Sequence, residues 1–153
     1  MTYDIPGQDK LEIRTIILDL NGTLSVGGVV PDGVKERLDT LKERGFRVLF
    51  FTGNTRNDAD QLAVDLGIEW KLAKNANDKR DLALELGPGT CASIGNGLID
   101  LELMKGVKLR IVTLQDEGVH VQTLLNSDIV VPSITAALDL FIDDQRLIAT
   151  LRV

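Results

Sequence analysis

The strongest constraint on what this chain can fold into is a rhythm. Short apolar, β-branched runs stop at polar, glycine-bearing loops, and each is followed by a stretch whose apolar residues recur at helical spacing. The first run, TIILDL within residues 11–20, does not alternate with polar residues, as a strand covered on both faces would not. Across residues 32–44, Val34, Leu38 and Leu41 predict a helix, with Asp32 placed as N-cap and Gly45 as its stop. RVLFFT, residues 47–52, predicts the next strand, and Ala59, Leu62, Ala63 and Leu66 predict a helix closed by Gly67. Residues 69–73 read as a strand, and 78–86 as a helix stopped by Gly87. CASI (91–94) and RIVTL (110–114) follow as strands, with a short helix starting near Asp100 between them. A helix over 119–126, a strand over 129–131 and helices over 133–141 and 145–152 continue the pattern.

Alternation of this kind predicts right-handed crossovers and a doubly wound, Rossmann-like α/β domain with a mostly parallel sheet. At 153 residues, with 44% hydrophobic and 26% charged, the composition suits one folded core, and no apolar stretch approaches the roughly 18 residues of a membrane span. Lys and Arg total 17 against 23 Asp and Glu, a net charge of −6 that opposes generic attraction to nucleic-acid phosphates. Aromatic residues make up only 4%, leaving few stacking platforms for single strands. The expectation is therefore no nucleic acid and no membrane as partners. The first ten residues carry neither a basic nor an apolar leader segment, and a lone Cys91 has no internal partner, so the expected setting is reducing and cytoplasmic. One Cys and one His exclude a conventional zinc site; His120 reads as a surface or packing residue, and Trp70 and Cys91 as core or core-edge residues.

In open α/β sheets, ligands gather beyond the carboxyl ends of the strands. The residues there are Asp19-Leu20-Asn21-Gly22-Thr23, Thr52-Gly53-Asn54 and Gly95-Asn96-Gly97-Leu98-Ile99-Asp100. A carboxylate at the end of an apolar strand is costly unless a cation or hydrogen bonds compensate it, so Asp19 either accepts bonds from its own loop or faces a cation. Gly22 permits close backbone approach, and the amide of Thr23 can face an anion. Thr52-Gly53-Asn54 reads as an oxyanion site or as an ordinary helix cap. Lys79 lies early in its helix, where a cation opposes the dipole, so it has no local stabilising reason to be there; Lys74 and Arg80 are competitors that spacing does not exclude. Asn96 and Asp100 can direct oxygens at one hard cation, or Asp100 can simply cap a helix.

In the order DLNGTL, TGN, Lys79 and GNGLID, these segments resemble the strand-end motifs of the haloacid dehalogenase (HAD) superfamily: DxDGT, Ser or Thr, Lys, and GDxxxD or GDGxND. TGN, GNGLID and the tail SDIVVPSITAALDLF resemble in particular the small stand-alone soluble proteins related to the phosphorylation domain of P-type ATPases. The resemblance covers the chain from Leu11 onward, which divides it into an N-terminal tail, 1–10, and an HAD-like domain, 11–153. It implies a Mg²⁺-dependent phosphohydrolase in which Asp19 is the nucleophile and forms an aspartyl phosphate, while Thr52 and Lys79 hold the transferring group. Asn21, Gly22, Thr23, Gly53 and Asn54 would surround the phosphate. Asp19, the Asn21 carbonyl, and Asn96 or Asp100 would hold Mg²⁺.

Three residues depart from that pattern, one of them Ile99, which replaces the polar residue usual before Asp100. Asn21 stands where phosphatases of this superfamily usually carry an Asp that protonates the leaving group and then activates water, so slower turnover is expected. Asn96 replaces a carboxylate, which should weaken Mg²⁺ binding. The intervals from Asp19 to Thr52 and from Thr52 to Lys79 are filled by predicted elements, so no cap domain is expected and the site should be open. Capless relatives act on macromolecular substrates or borrow a neighbouring subunit as a lid. The expected partners are thus a phosphorylated small molecule or macromolecule, and a second copy in a homo-oligomer. The alternative is a low-turnover, phosphate-responsive or partner-binding module on the same fold, which Asn21 and Asn96 together favour. A two-component receiver fits less well, because receivers gather an acidic pair after the first strand.

Overall fold

The computed structural model describes residues 1–153. Eight strands and seven α-helices follow in order: β1 (Thr2–Tyr3), β2 (Leu11–Glu12), β3 (Thr15–Asp19), α1 (Val34–Glu43), β4 (Arg47–Thr52), α2 (Ala59–Leu66), β5 (Glu69–Leu72), α3 (Ala76–Glu85), β6 (Cys91–Gly95), α4 (Leu101–Gly106), β7 (Leu109–Thr113), α5 (Val121–Leu125), β8 (Ile129–Val131), α6 (Ile134–Ile142) and α7 (Asp144–Leu151). Six strands form one parallel sheet in the order β5-β4-β3-β6-β7-β8. The chain winds outward one way from β3 through β4 to β5, then the other way from β6 through β7 to β8. The order therefore reverses between β3 and β6, the place where open α/β sheets bind ligands.

The inner strands are buried on both faces, and their parity sorts them into two cores. Ile16 and Leu18 of β3, with Val48 and Phe50 of β4, join the large cluster formed with α1, α2, α6 and α7. Ile17, Leu49, Phe51 and Cys91 join a smaller cluster with Ala83 of α3 and Leu103 of α4. Asp19 shares the parity of Ile17, so its carboxyl is directed toward the α3–α4 side. No helix is long and apolar enough to cross a membrane.

Three local expectations differ from the structure. Residues 1–10 are held to the domain: β1 pairs antiparallel with β2, and Tyr3 and Ile5 are buried in the large core, because their apolar side chains cover its rim. Asp32 does not cap α1; Gly33 takes the N-cap position in the left-handed region at φ 85°, with no side-chain cap. α3 begins before the predicted 78, since Asn75 accepts a hydrogen bond from the Asp78 amide (2.9 Å) and starts the helix at Ala76. Gly67 closes α2 in the left-handed region as expected.

The connection from β3 to α1, residues 20–33, folds as a small flap closed by reciprocal backbone bonds between Val26 and Val29. Residues 73–75 link β5 to α3. Neither connection holds a further folded unit, and the carboxyl ends of the strands open to solvent.

Candidate active site

Lys79 stands between two carboxylates, its Nζ 2.5 Å from Asp19 Oδ1 and 2.8 Å from Asp100 Oδ1. The three side chains come from the end of β3, the first turns of α3 and the 3₁₀ turn Leu98–Asp100 that leads into α4. Asp19 is 9% exposed, Lys79 2% and Asp100 1%, so these are charges removed from water that only one another's company makes tolerable. The ion pairs explain why a lysine sits where the helix dipole disfavours it. Its competitors are elsewhere: Arg80 pairs with Asp81, while exposed Lys74 lines the cavity without joining the trio.

Asp100 is satisfied entirely from within the protein. Its Oδ1 takes the lysine, and its Oδ2 accepts from the amides of Asn96 and Gly97, both at 3.1 Å. Asp19 is less well served: burial, and then the charge of Asp100, push its carboxyl up to about 7 against the pull of Lys79. For Lys79, burial works against the charge, but the carboxylates of Asp19 and Asp100 outweigh it and hold the ammonium above its ordinary range.

Beside the trio lies a cavity of about 280 Å³ lined by Asp19, Asn21, Thr52, Gly53, Asn96 and Lys79, together with Thr55, Lys74 and Glu117. The charge balance suits a hard divalent cation: two carboxylates share one ammonium and keep a net negative charge, and neither His nor Cys is among the lining residues.

Not every predicted phosphate contact faces this cavity. The amide of Gly22 donates to Ser25 O at 2.8 Å and that of Thr23 to Leu20 O at 3.3 Å, so both are used in holding the turn. Thr23 is fully buried, and its hydroxyl donates to Asn96 Oδ1 (3.2 Å), which makes it a brace for the loop. Asn54, at φ 55°, turns its side chain to accept from the Ala59 amide at the start of α2 (3.1 Å), while its own amide donates to Thr52 Oγ1 (3.1 Å). Thr52 remains at the cavity wall with Gly53. His120 caps α5, its Nδ1 accepting from the Gln122 amide at 3.2 Å, and does not line the cavity.

No family model matches the sequence. Two uncharacterized proteins of Methanocaldococcus jannaschii are similar over parts of the chain, at 48% identity over 60 residues and 62% over 29. These matches cover 39% and 19% of this chain, and 64% and 66% of the two relatives, just under two thirds of their length. Among solved structures, 3-deoxy-D-manno-octulosonate 8-phosphate phosphatase from Moraxella catarrhalis, in complex with magnesium ion, phosphate ion and KDO, superposes with a TM-score of 0.71 at 22% identity, covering 92% of this chain and 94% of that one. The cobalt-bound form of the corresponding Haemophilus influenzae phosphatase gives 0.73 at 16% identity, with 93% and 94% covered. A Legionella pneumophila protein described among HAD superfamily (subfamily III A) hydrolases gives 0.69 at 22%, covering 90% and 86%.

This is the HAD fold.

Within the HAD fold of this chain, one part of the site had no signature in the sequence. The loop after β7 reaches across to the loop that follows β3, where Gln115 Nε2 donates to the carbonyls of Gly22 and Thr23, both at 3.0 Å. Its Oε1 accepts from the Ile134 amide at the start of α6 (2.9 Å), and Glu117, two residues further on, lines the cavity. Glutamine and glutamate in a polar loop look like any solvated turn. Only the paired strands β6 and β7 bring this loop beside Gly22.

Proposed function

We propose that this chain is a Mg²⁺-dependent phosphohydrolase that passes a phosphoryl group through Asp19. The observation that carries the reading is the buried Asp19–Lys79–Asp100 trio at the reversal point of the sheet, opening on a polar cavity. An Asp19 oxygen attacks phosphorus, the bond to the ester oxygen breaks, and the aspartyl phosphate is released by water, which returns Asp19 and inorganic phosphate. Lys79 pulls Asp19 toward its ionised form and holds it in place and, with the Thr52 hydroxyl, offers donors to the phosphoryl oxygens. A divalent cation would be held by Asp19 and the Asn21 carbonyl, with Asp100 or Asn96 giving up a present hydrogen bond to join them, and would supply charge neutralisation at the transferring phosphoryl group.

Asn21 is exposed at the cavity and only hydrogen-bonds, so the departing alkoxide takes its proton from solvent. Slow turnover of poor leaving groups follows. The open cavity fits phosphorylated small molecules and phosphorylated macromolecules alike, and a homo-oligomer would place a neighbouring subunit over it. The solitary Cys91 suits a reducing, cytoplasmic setting.

The test is a panel of phosphate esters with Mg²⁺. Nitrophenyl phosphate should turn over faster than alkyl phosphates, and Asp19→Asn should abolish both activities. Asn21 also favours a second reading, a low-turnover phosphate-responsive or partner-binding module. If the wild-type chain and Asn21→Asp both leave every ester untouched while Mg²⁺ binds, that reading replaces the first.

A further inference from the structure

Asn96 is committed at both ends of its amide. Its Oδ1 accepts from Thr23, its Nδ2 donates to Gly118 O at 3.0 Å, and its main-chain carbonyl accepts from the His120 amide at 2.8 Å. An aspartate here would set an acceptor against the Gly118 carbonyl, and the bond that fastens the post-β7 loop would become a repulsion. The neutral amide is therefore what this loop requires.

The loop so fastened carries a carboxylate to the cavity. A Cβ on Gly22 would stand 2.5 Å from Glu117 Oε2, which places that oxygen directly over the turn that follows Asp19 and Asn21. Glu117 has no basic partner among the ion pairs of the molecule. Asp19, Asp100 and Glu117 do not close into a three-carboxylate cage, so Glu117 stands one layer further out. Mg²⁺ typically keeps several of its waters, and those waters donate hydrogen bonds to carboxylates in the surrounding layer.

On the phosphohydrolase reading above, we infer that Glu117 supplies, through the water shell of the bound divalent cation, the negative charge that Asn96 does not carry, and that Asn96 is the positioning residue that clamps the Glu117 loop in place. The charge has moved from one loop to the next.

Calorimetric titration of the full chain with Mg²⁺ tests this directly. Glu117→Gln should weaken binding by about 10–100-fold, the range for partners beyond the ligands. Its metal-free melting temperature should stay unchanged, since the carboxylate holds no other side chain. Asn96→Asp should not tighten binding, because the clamp is lost with the amide. Wild-type affinity in Glu117→Gln, or tighter binding in Asn96→Asp, overturns the inference. Asp100→Asn separates the two levels: lost Mg²⁺ binding there with unchanged binding in Glu117→Gln leaves the phosphohydrolase reading standing and removes only Glu117. If the wild-type chain takes up no Mg²⁺, both fall together.

Discussion

At position 21 an exposed amide lines the cavity, where a carboxyl could exchange a proton with a bound ester. The side chain lines the cavity without a hydrogen-bond partner inside the protein, so exchanging it disturbs nothing structural. Asn21→Asp should raise turnover of alkyl phosphates by about 10²–10⁴-fold, the usual contribution of a general acid/base, while nitrophenyl phosphate gains little. Steady-state kinetics on the two ester classes checks this, and equal gains on both would point away from leaving-group protonation. Residue types at this scale were legible because their cost is local: an acid ending an apolar strand and a lysine in the first turns of a helix both demand a partner, and the structure makes them partners of each other.

Among the elements, the strands of the six-stranded sheet could be read almost to the residue, while β1 and β2 were not read as strands of their own. β4 spans Arg47–Thr52, the bounds that the run RVLFFT predicts, and α2 ends at Gly67 where a left-handed residue is needed. Helix starts were less legible. Asn75 caps α3 from a polar stretch without periodicity, and Gly33 opens α1 by backbone conformation, next to an aspartate that looked the better cap. The post-β7 loop was illegible for a different reason: its bonds run from one glutamine to main-chain carbonyls far away in sequence, and such acceptors exist at every residue. Gln115→Ala should therefore act through the loop that follows β3, leaving Thr23 O and the Ile134 amide without their side-chain partner and Gly22 O with only the Thr113 hydroxyl at 3.5 Å. A loss of about 1–3 kcal/mol in denaturant unfolding is expected, with reduced phosphatase turnover although no atom near phosphorus has changed.

For the whole molecule, the site is a source of instability as well as chemistry. Burial and the charge of Asp100 raise the folded-state pKa of Asp19 to about 7 from an ordinary 3.8. Between those values the folded chain keeps a proton that the unfolded chain has lost, so this carboxyl favours folding at low pH and the benefit disappears as pH rises toward 7 and beyond. Thermal melts without Mg²⁺ should show stability falling over that window. Asp19→Asn should flatten the slope and melt higher than wild type at pH 8, and a parallel slope in the variant would contradict the assignment. Added Mg²⁺ should recover wild-type stability at pH 8, by an amount that grows with the logarithm of one plus the ratio of free Mg²⁺ to its Kd.

The parity of β3 also bears on how such a chain can change over time. Ile17 and Asp19 face the α3–α4 side while Ile16 and Leu18 face the other. One residue gained or lost within β3 would carry the carboxylate through the sheet and leave Lys79 and Asp100 facing an aliphatic side chain. A change of two would only lengthen or shorten the strand. Descendants of this sequence are thus free to drift in their flap and outer helices, but insertions and deletions within β3 itself are admissible only in even steps.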